Sequence, residues 1–426
     1  MRVIRTVPWG AVAVLWALGT TAAELKSPLV AINAADVAPP ALQAALQSVW
    51  RTSPEVIAAG AERDAARARA AAAARPLYNP EIELAAENAD VKTRTVGLRL
   101  ALDVSGKRRA RAAQGEAASQ AAEARYALAR RALATRWLGA WSAAALAAQQ
   151  QALGETQLGL MQRFDRLAAE RLAVGDISRP ERELAALALA EHRMQQAALL
   201  GDAAAARAAL TVIGGVPMAS LPALPTGLPP ASSAYAARAA ESTLPLAEAR
   251  AEQARADAGV EVARRARVPD PSLSLVGGRV QSGPLTDQVI GVTLSIPLPI
   301  LDNGSASVTA AEAEANAAAA RVRVAEQSVR AAVLEAEARY DALRAALVSI
   351  RHGPADTFAP RAALLEKLWR AGEIDTADYL VQLKQGLDTR LSALQLESRM
   401  WQAWFDYLAA AGRLSDWVDG TLPETH

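Results

Sequence analysis

The sequence predicts a mainly α-helical fold with a small β part, built from one unit written twice. Three observations carry this. Between Gly106 and Gly175 the chain runs 69 positions without a proline, in a stretch rich in the helix formers Ala, Arg, Glu, Gln and Leu. A second stretch of almost equal length, 68 positions, joins Gly304 to Gly372. Short alternating segments, the signature of half-buried strands, stand at matching places before both stretches. At 1.5 Å per residue each stretch would form a helix of about 100 Å, far more than the core of a compact domain needs.

The duplication shows in landmarks that keep their order. Thr52-Ser53-Pro54 and Asn79-Pro80 return as Thr243-Leu244-Pro245 and Asp270-Pro271, each 191 residues later. Gly97-Leu98-Arg99-Leu100-Ala101-Leu102 resembles Gly291-Val292-Thr293-Leu294-Ser295-Ile296 at an offset of 194. Gly106 and Glu116 match Gly304 and Glu314 at 198, and Val174-Gly175-Asp176-Ile177 matches Ala371-Gly372-Glu373-Ile374 at 197. Offsets that drift by a few residues in fixed order mark an internal repeat.

Each element follows. Residues 1–23 read as an export signal: Arg2 and Arg5 are the charged part, Trp9 to Leu18 the apolar part, and Thr21-Ala22-Ala23 the small residues for cleavage. The first repeat covers 24–215: a helix over roughly 41–75, two strands at about 80–104, a long helix 107–173 and a return helix 177–213. A linker at 216–231 follows. Prolines 217, 222, 225, 229 and 230 keep it from being helical. The second repeat covers 232–412: a helix over roughly 232–267, two strands at about 272–298, a long helix 305–371 and a return helix 374–411. His352-Gly353-Pro354 and Pro360 predict a break near 353–360. Residues 413–426 are left as a C-terminal tail.

Composition narrows the function. Net charge is +1 with both signs interspersed, so no nucleic-acid footprint is visible. There is no cysteine, which excludes disulfides, thiolate chemistry and lipid attachment at a processed N-terminal Cys. The three histidines, His192, His352 and His426, are scattered. No phosphate-binding glycine loop, nucleophile with its base, or metal cluster emerges, so neither an enzyme nor a cofactor is expected. The hydrophobic fraction of 52% is largely alanine, and aromatics are 4%. Such helices pack closely through small side chains; Ala110, Ala113, Ala117, Ala121, Ala124 and Leu128 form one stripe at helical spacing.

The strands raise the question of a membrane. Val96, Leu98, Leu100, Leu102 and Val104 alternate with Thr95, Gly97, Arg99, Ala101 and Asp103; Ile290, Val292, Leu294, Ile296 and Leu298 do the same. Each segment has about the ten residues a tilted strand needs to cross a bilayer. A soluble antiparallel sheet with one wet face would alternate equally. If the strands do cross, four per chain cannot close a barrel, and lipid does not tolerate an open edge. Several chains would then share one barrel: two would give eight strands, three would give twelve.

Leu77-Tyr78-Asn79-Pro80-Glu81-Ile82-Glu83 and Val104-Ser105-Gly106-Lys107-Arg108-Arg109-Ala110-Arg111, within the duplicated strand–strand–long helix–return helix unit, resemble the TolC-type outer-membrane efflux factors. They resemble the CzcC-like branch that serves heavy-metal cation exporters. The resemblance covers about 40–415. It implies a homotrimer with a 12-stranded β-barrel in the outer-membrane bilayer, standing on an α-helical tunnel. It further implies the exit duct of a tripartite pump, with a periplasmic adaptor and an inner-membrane transporter as partners and heavy-metal cations as cargo. A drug or organic-solute duct of the same fold, and a periplasmic coiled coil without a pore, stay open as alternatives.

The resemblance also suggests sites. Val174, Gly175, Asp176, Ala371, Gly372 and Glu373 would form the tips that meet the adaptor; as bare sequence they are helix-hairpin turns. Six residues past each turn glycine stand Glu181 and Asp378, with Asp375 three before Asp378. A threefold ring of Asp378, with Asp375 and Glu181 as weaker candidates, would attract cations at a constriction. Each is equally readable as a carboxylate stabilising a helix N-terminus. Glu81, Glu83, Glu87 and Arg99 are the polar members of the strands and would face a lumen. Lys107, Arg108, Arg109 and Arg111 oppose the dipole of the helix they begin, which calls for a compensating contact.

Overall fold

The computed structural model describes residues 37–214, 222–225, 227–235, 242–351 and 358–419. The expected export signal at 1–23 and parts of the linker lie outside them. The first unit opens with α1 (Pro40–Thr52) and α2 (Pro54–Ala73). Where the pattern suggests one helix over 41–75, Pro54 divides it: a residue before proline is pushed out of the helical region, and Ser53 is extended at φ −66°, ψ 122°. Strands β1 (Glu81–Asn88) and β2 (Val91–Ala101) follow, then α3 (Lys107–Ala173) and α4 (Arg179–Gly214). The second unit has a short 3-10 turn at Ser232–Tyr235, then α5 (Leu244–Ala266), β3 (Ser272–Ser282) and β4 (Leu285–Ser295). Its arm is α6 (Ser305–Arg351) and α7 (Phe358–Arg370), and its return is α8 (Thr376–Ala410). The break expected near 353–360 falls mainly on 352–357, outside the described residues. Pro360 sits in the first turn of α7, where a missing N–H leaves no bond unmade. The segment 413–426 is not merely a tail: Leu414–Asp419 form α9, and its Leu414, Trp417 and Val418 are buried.

The four strands form one antiparallel sheet in the order β1-β2-β3-β4, so the two units meet at β2 and β3. The register settles the faces. Ile82, Leu98, Leu275 and Val292 form one cross-strand row, and Leu84, Val96, Gly277 and Ile290 the next. These side chains cover no core: Ile82 is 74%, Leu84 78% and Ile290 82% exposed.

Helix α3 is the spine. It packs against α2, α4, α5 and α8, and α5 in turn against α6. Small residues permit this. A side chain at Gly115 would come within 3.0 Å of the Ala70 backbone, so α2 and α3 touch nearly backbone to backbone. In the predicted alanine stripe Ala110, Ala117 and Ala121 are buried, but Ala113 is exposed and Ala122 is buried instead. Helix α4 contains an 18-residue window of mean hydropathy 1.4, apolar enough by length and composition to cross a membrane, yet the helix packs against α3.

The few large side chains are concentrated. One core gathers Trp137 and Trp141 of α3, Tyr340 of α6, Trp401, Trp404, Phe405 and Tyr407 of α8, and Trp417 of α9. The proline-rich linker is held against it by its carbonyls. Trp141 Nε1 donates to Pro222 O (2.9 Å), Tyr340 Oη to Pro230 O (2.6 Å), and Arg344 Nε to Pro229 O (2.9 Å). These bonds satisfy backbone groups that a non-helical buried segment would otherwise leave unpaired. Trp404 lies at the middle, 4.9 Å from the Tyr340 ring and 5.9 Å from Tyr407. Trp404→Ala should therefore destabilise the folded chain by about 3–5 kcal/mol. Thermal melting of the purified protein followed by near-UV circular dichroism checks this; an unchanged Tm would mean that the linker does not depend on this core.

Candidate functional site

The two hairpin ends are built alike. Helix α3 closes with Gly175 at φ 80°, and α7 with Gly372 at φ 76°, a conformation that glycine adopts without a steric penalty. Asp176 N donates to Arg171 O (2.8 Å) and Gly175 N to Leu172 O (3.0 Å). Glu373 N donates to Leu368 O (3.0 Å) and Gly372 N to Trp369 O (3.1 Å). Both are the double-bonded helix terminator that a left-handed glycine allows. Val174, Asp176, Ala371 and Glu373 are exposed around them, so the six predicted tip residues form two similar, solvent-facing turns.

Of the predicted constriction residues, Glu181 and Asp378 sit at the third position of their return helices and Asp375 just before α8, and capping chemistry explains most of them. Ser178 and Glu181 form a reciprocal capping pair: Ser178 N donates to Glu181 Oε2 (2.8 Å), and Glu181 N to Ser178 Oγ (3.4 Å). Asp375 is the N-cap of α8, its Oδ1 accepting from Asp378 N at 2.7 Å. The Asp378 carboxylate itself is exposed and accepts no hydrogen bond among the described residues. Of the three candidates, only Asp378 presents a carboxylate not already engaged in capping.

Glu181 also links the two hairpins. Thr376 Oγ1 of α8 donates to Glu181 Oε1 (3.3 Å) and accepts from Trp369 Nε1 (3.1 Å). Around this bridge lies a second core, unforeseen from the sequence. Phe164 stands 4.6 Å from Trp369 and 4.7 Å from Tyr379, and the Arg171 guanidinium lies 4.9 Å above the Trp369 ring while donating to Trp369 O (3.0 Å). Burial pushes the Tyr379 phenol up to about 12. The S-x-x-E spacing of Ser178 and Glu181 was the available signal for the cap. Phe164, Trp369 and Tyr379 stand 11, 3 and 7 positions from their turn glycines, so no shared spacing announced this core.

At the other end, the predicted lumen residues share one face of the sheet. Glu83 Oε1 and Arg99 Nη2 pair at 2.5 Å, and Ser274 Oγ donates to Glu83 Oε2 at 3.3 Å. Glu81 lies opposite Arg99 in register, and Glu87 opposite Thr93. The basic start of α3 has its compensation: Asp103 accepts from Lys107 N and Arg108 N, both at 2.8 Å. Lys107 Nζ pairs with Asp270 Oδ2 (2.8 Å), which also accepts from Tyr78 Oη. Tyr78 thus ties the end of the first unit's helical lead to the matching position of the second. Arg108 and Arg109 are exposed and Arg111 half-buried.

The described chain thus presents a sheet with an exposed apolar face, mounted on helical hairpins tens of residues long. Residues 236–413 match the family model of the outer membrane efflux protein. Among solved structures the chain resembles CusC, with a TM-score of 0.73 and 16% identity over 88% of this chain and 93% of that one. It resembles VceC of Vibrio cholerae (0.69, 18%, 87% and 96%) and the open-state MtrE channel of Neisseria gonorrhoeae (0.71, 18%, 90% and 93%). These likenesses establish the TolC-like channel fold, and they are to channels rather than enzymes. A search by sequence against curated proteins finds no match.

The cap makes a pH prediction. The Ser178 N–H, then the Ser178 hydroxyl, hold the Glu181 carboxyl below its ordinary value of 4.5 in the folded chain. Its contribution is therefore full above that ordinary value and is lost as the pH falls through the lowered folded one. Hydrogen-exchange protection of the Ser178 amide should fall below pH 4.5. In Glu181→Ala it should be about fivefold lower and independent of pH, matching a cap of about 1 kcal/mol. The same pH dependence in the variant would assign it to another group.

Proposed function

We propose that this chain is the outer-membrane exit duct of a tripartite efflux pump, a passive conduit that works as a homotrimer. Three four-stranded sheets would close a 12-stranded barrel in the outer membrane, and the paired helices would form the periplasmic tunnel. The turns at Gly175 and Gly372 would meet a periplasmic adaptor, itself bound to an inner-membrane transporter. The observation that carries this reading is the sheet's apolar face: Ile82, Leu84, Val96, Leu98, Ile290, Val292 and Leu294 are exposed in one continuous field that suits contact with lipid. The family match over 236–413 and the fold likeness support it.

Heavy-metal cations are the proposed cargo, on the resemblance of the segments around Tyr78-Asn79-Pro80 and Gly106-Lys107 to the CzcC-like branch. The site favours cations in general: Asp378 repeated three times would place a ring of negative charge near the tips. A drug duct would show the same fold, and transport by reconstituted pumps separates the two.

Two measurements test the reading. The protein should remain in the outer-membrane fraction after high-salt and carbonate washes, whereas a periplasmic coiled coil would be released. In planar bilayers Asp378→Ala should lower the preference for cations over anions severalfold. An unchanged preference would remove Asp378 from the constriction, and release by carbonate would remove the duct.

A further inference from the structure

The outward face of the sheet changes character between two neighbouring rows. Below the change stands the row Leu84, Val96, Gly277, Ile290; above it stand Ala86, Arg94, Arg279, Gln288 and then Asn88, Lys92, Gln281, Thr286. The step is two residues, about 7 Å along a strand. Arg94 and Arg279 are directly opposite each other, with Lys92 two residues beyond Arg94 on the same face. All three are exposed, and none makes a side-chain ion pair or hydrogen bond among the described residues. Like charges placed directly across a strand pair are unfavourable on their own.

Charge is also sorted by face. The acidic strand residues Glu81, Glu83, Glu87 and Asp287 all belong to the opposite face: Glu87, Thr93, Val280 and Asp287 are one row of it. The one basic residue there, Arg99, is paired with Glu83. The outward face therefore carries three unneutralised cations and no strand carboxylate, immediately above the apolar field.

We propose that Lys92, Arg94 and Arg279 form an outward docking surface for the phosphates of a phosphorylated glycolipid in the outer leaflet. The inference rests on the barrel reading, which puts the apolar field in the bilayer core and the hairpin end toward the outer leaflet. The position matches a headgroup anchored by its chains against Val96 and Ile290, and an anion between Arg94 and Arg279 relieves their repulsion. A trimer would carry nine such charges as a girdle. A lipid is favoured over a soluble anion because the cations border the apolar field directly.

The test uses the full-length protein reconstituted in phosphatidylcholine nanodiscs, titrated with diphosphoryl lipid A, dephosphorylated lipid A or inorganic phosphate. Bound lipid is counted by native mass spectrometry. Each basic residue near an anionic surface strengthens binding roughly fivefold, so the variant K92Q/R94Q/R279Q should bind diphosphoryl lipid A about a hundredfold more weakly than the parent. Dephosphorylated lipid A and inorganic phosphate should not compete. Insertion of both proteins with equal binding of diphosphoryl lipid A, or equal binding of the dephosphorylated form by the parent, would overturn this proposal alone. Failure of the parent to enter nanodiscs would overturn the barrel reading and this inference with it.

Discussion

The structure depends on a four-stranded sheet that is left open at both edges. Strands β1 and β4 are its edges, and one of its faces is apolar and uncovered. In water an open edge beside such a face is an aggregation hazard. In lipid each unpaired backbone group costs several kcal/mol. Closure with identical sheets removes both problems at once, because the edges pair and the apolar face meets hydrocarbon. The opposite face, with Glu83 and Arg99 paired and Glu81 and Glu87 beside them, would then become the proposed wet interior.

The helical part answers a different demand, for length without a thick core. Alanine and glycine let α2 and α3 approach to near backbone contact at Ala70 and Gly115. Side-chain bulk is spent at two levels. The Trp-rich core at mid-length fastens the linker and α9 to the bundle. The smaller Phe164, Trp369 and Tyr379 cluster, with Arg171 above it, fastens one hairpin to the other near the turns. At the level of the smaller cluster the half-buried pair of Arg182 with Asp165 (2.7 Å) also joins α3 to α4. The bulky contacts of the bundle are thus gathered at two levels.

Much of this was legible in the sequence because the signals were local. The proline-free run between two glycines marked α3 almost to the residue, and the alternation around Leu98 and Val292 assigned the strand faces. The duplicated landmarks placed the second unit. What escaped was set by contacts distant in sequence. Nothing local distinguishes Trp417 as a core residue in an apparent tail, since its partners are Phe405 and the Ala38 amide. The compensation for the basic start of α3 came from Asp103, already in view but assigned to a strand. At the candidate constriction, composition gave the carboxylates but not their bonds. Glu181 and Asp375 proved to be occupied as caps, and Asp378 did not.

The central claim is that this sheet is one third of a closed barrel, and the absence of cysteine makes it directly measurable. Pairs of cysteines, one scanned along β1 between Ile82 and Glu87 and one along β4 between Thr286 and Leu294, can be oxidised in isolated membranes and separated by denaturing electrophoresis. Closure predicts that pairs in register crosslink neighbouring protomers into dimers and covalent trimers, and that the series stops at three. A series that stops at two or continues beyond three, or no crosslink at any position, would contradict it.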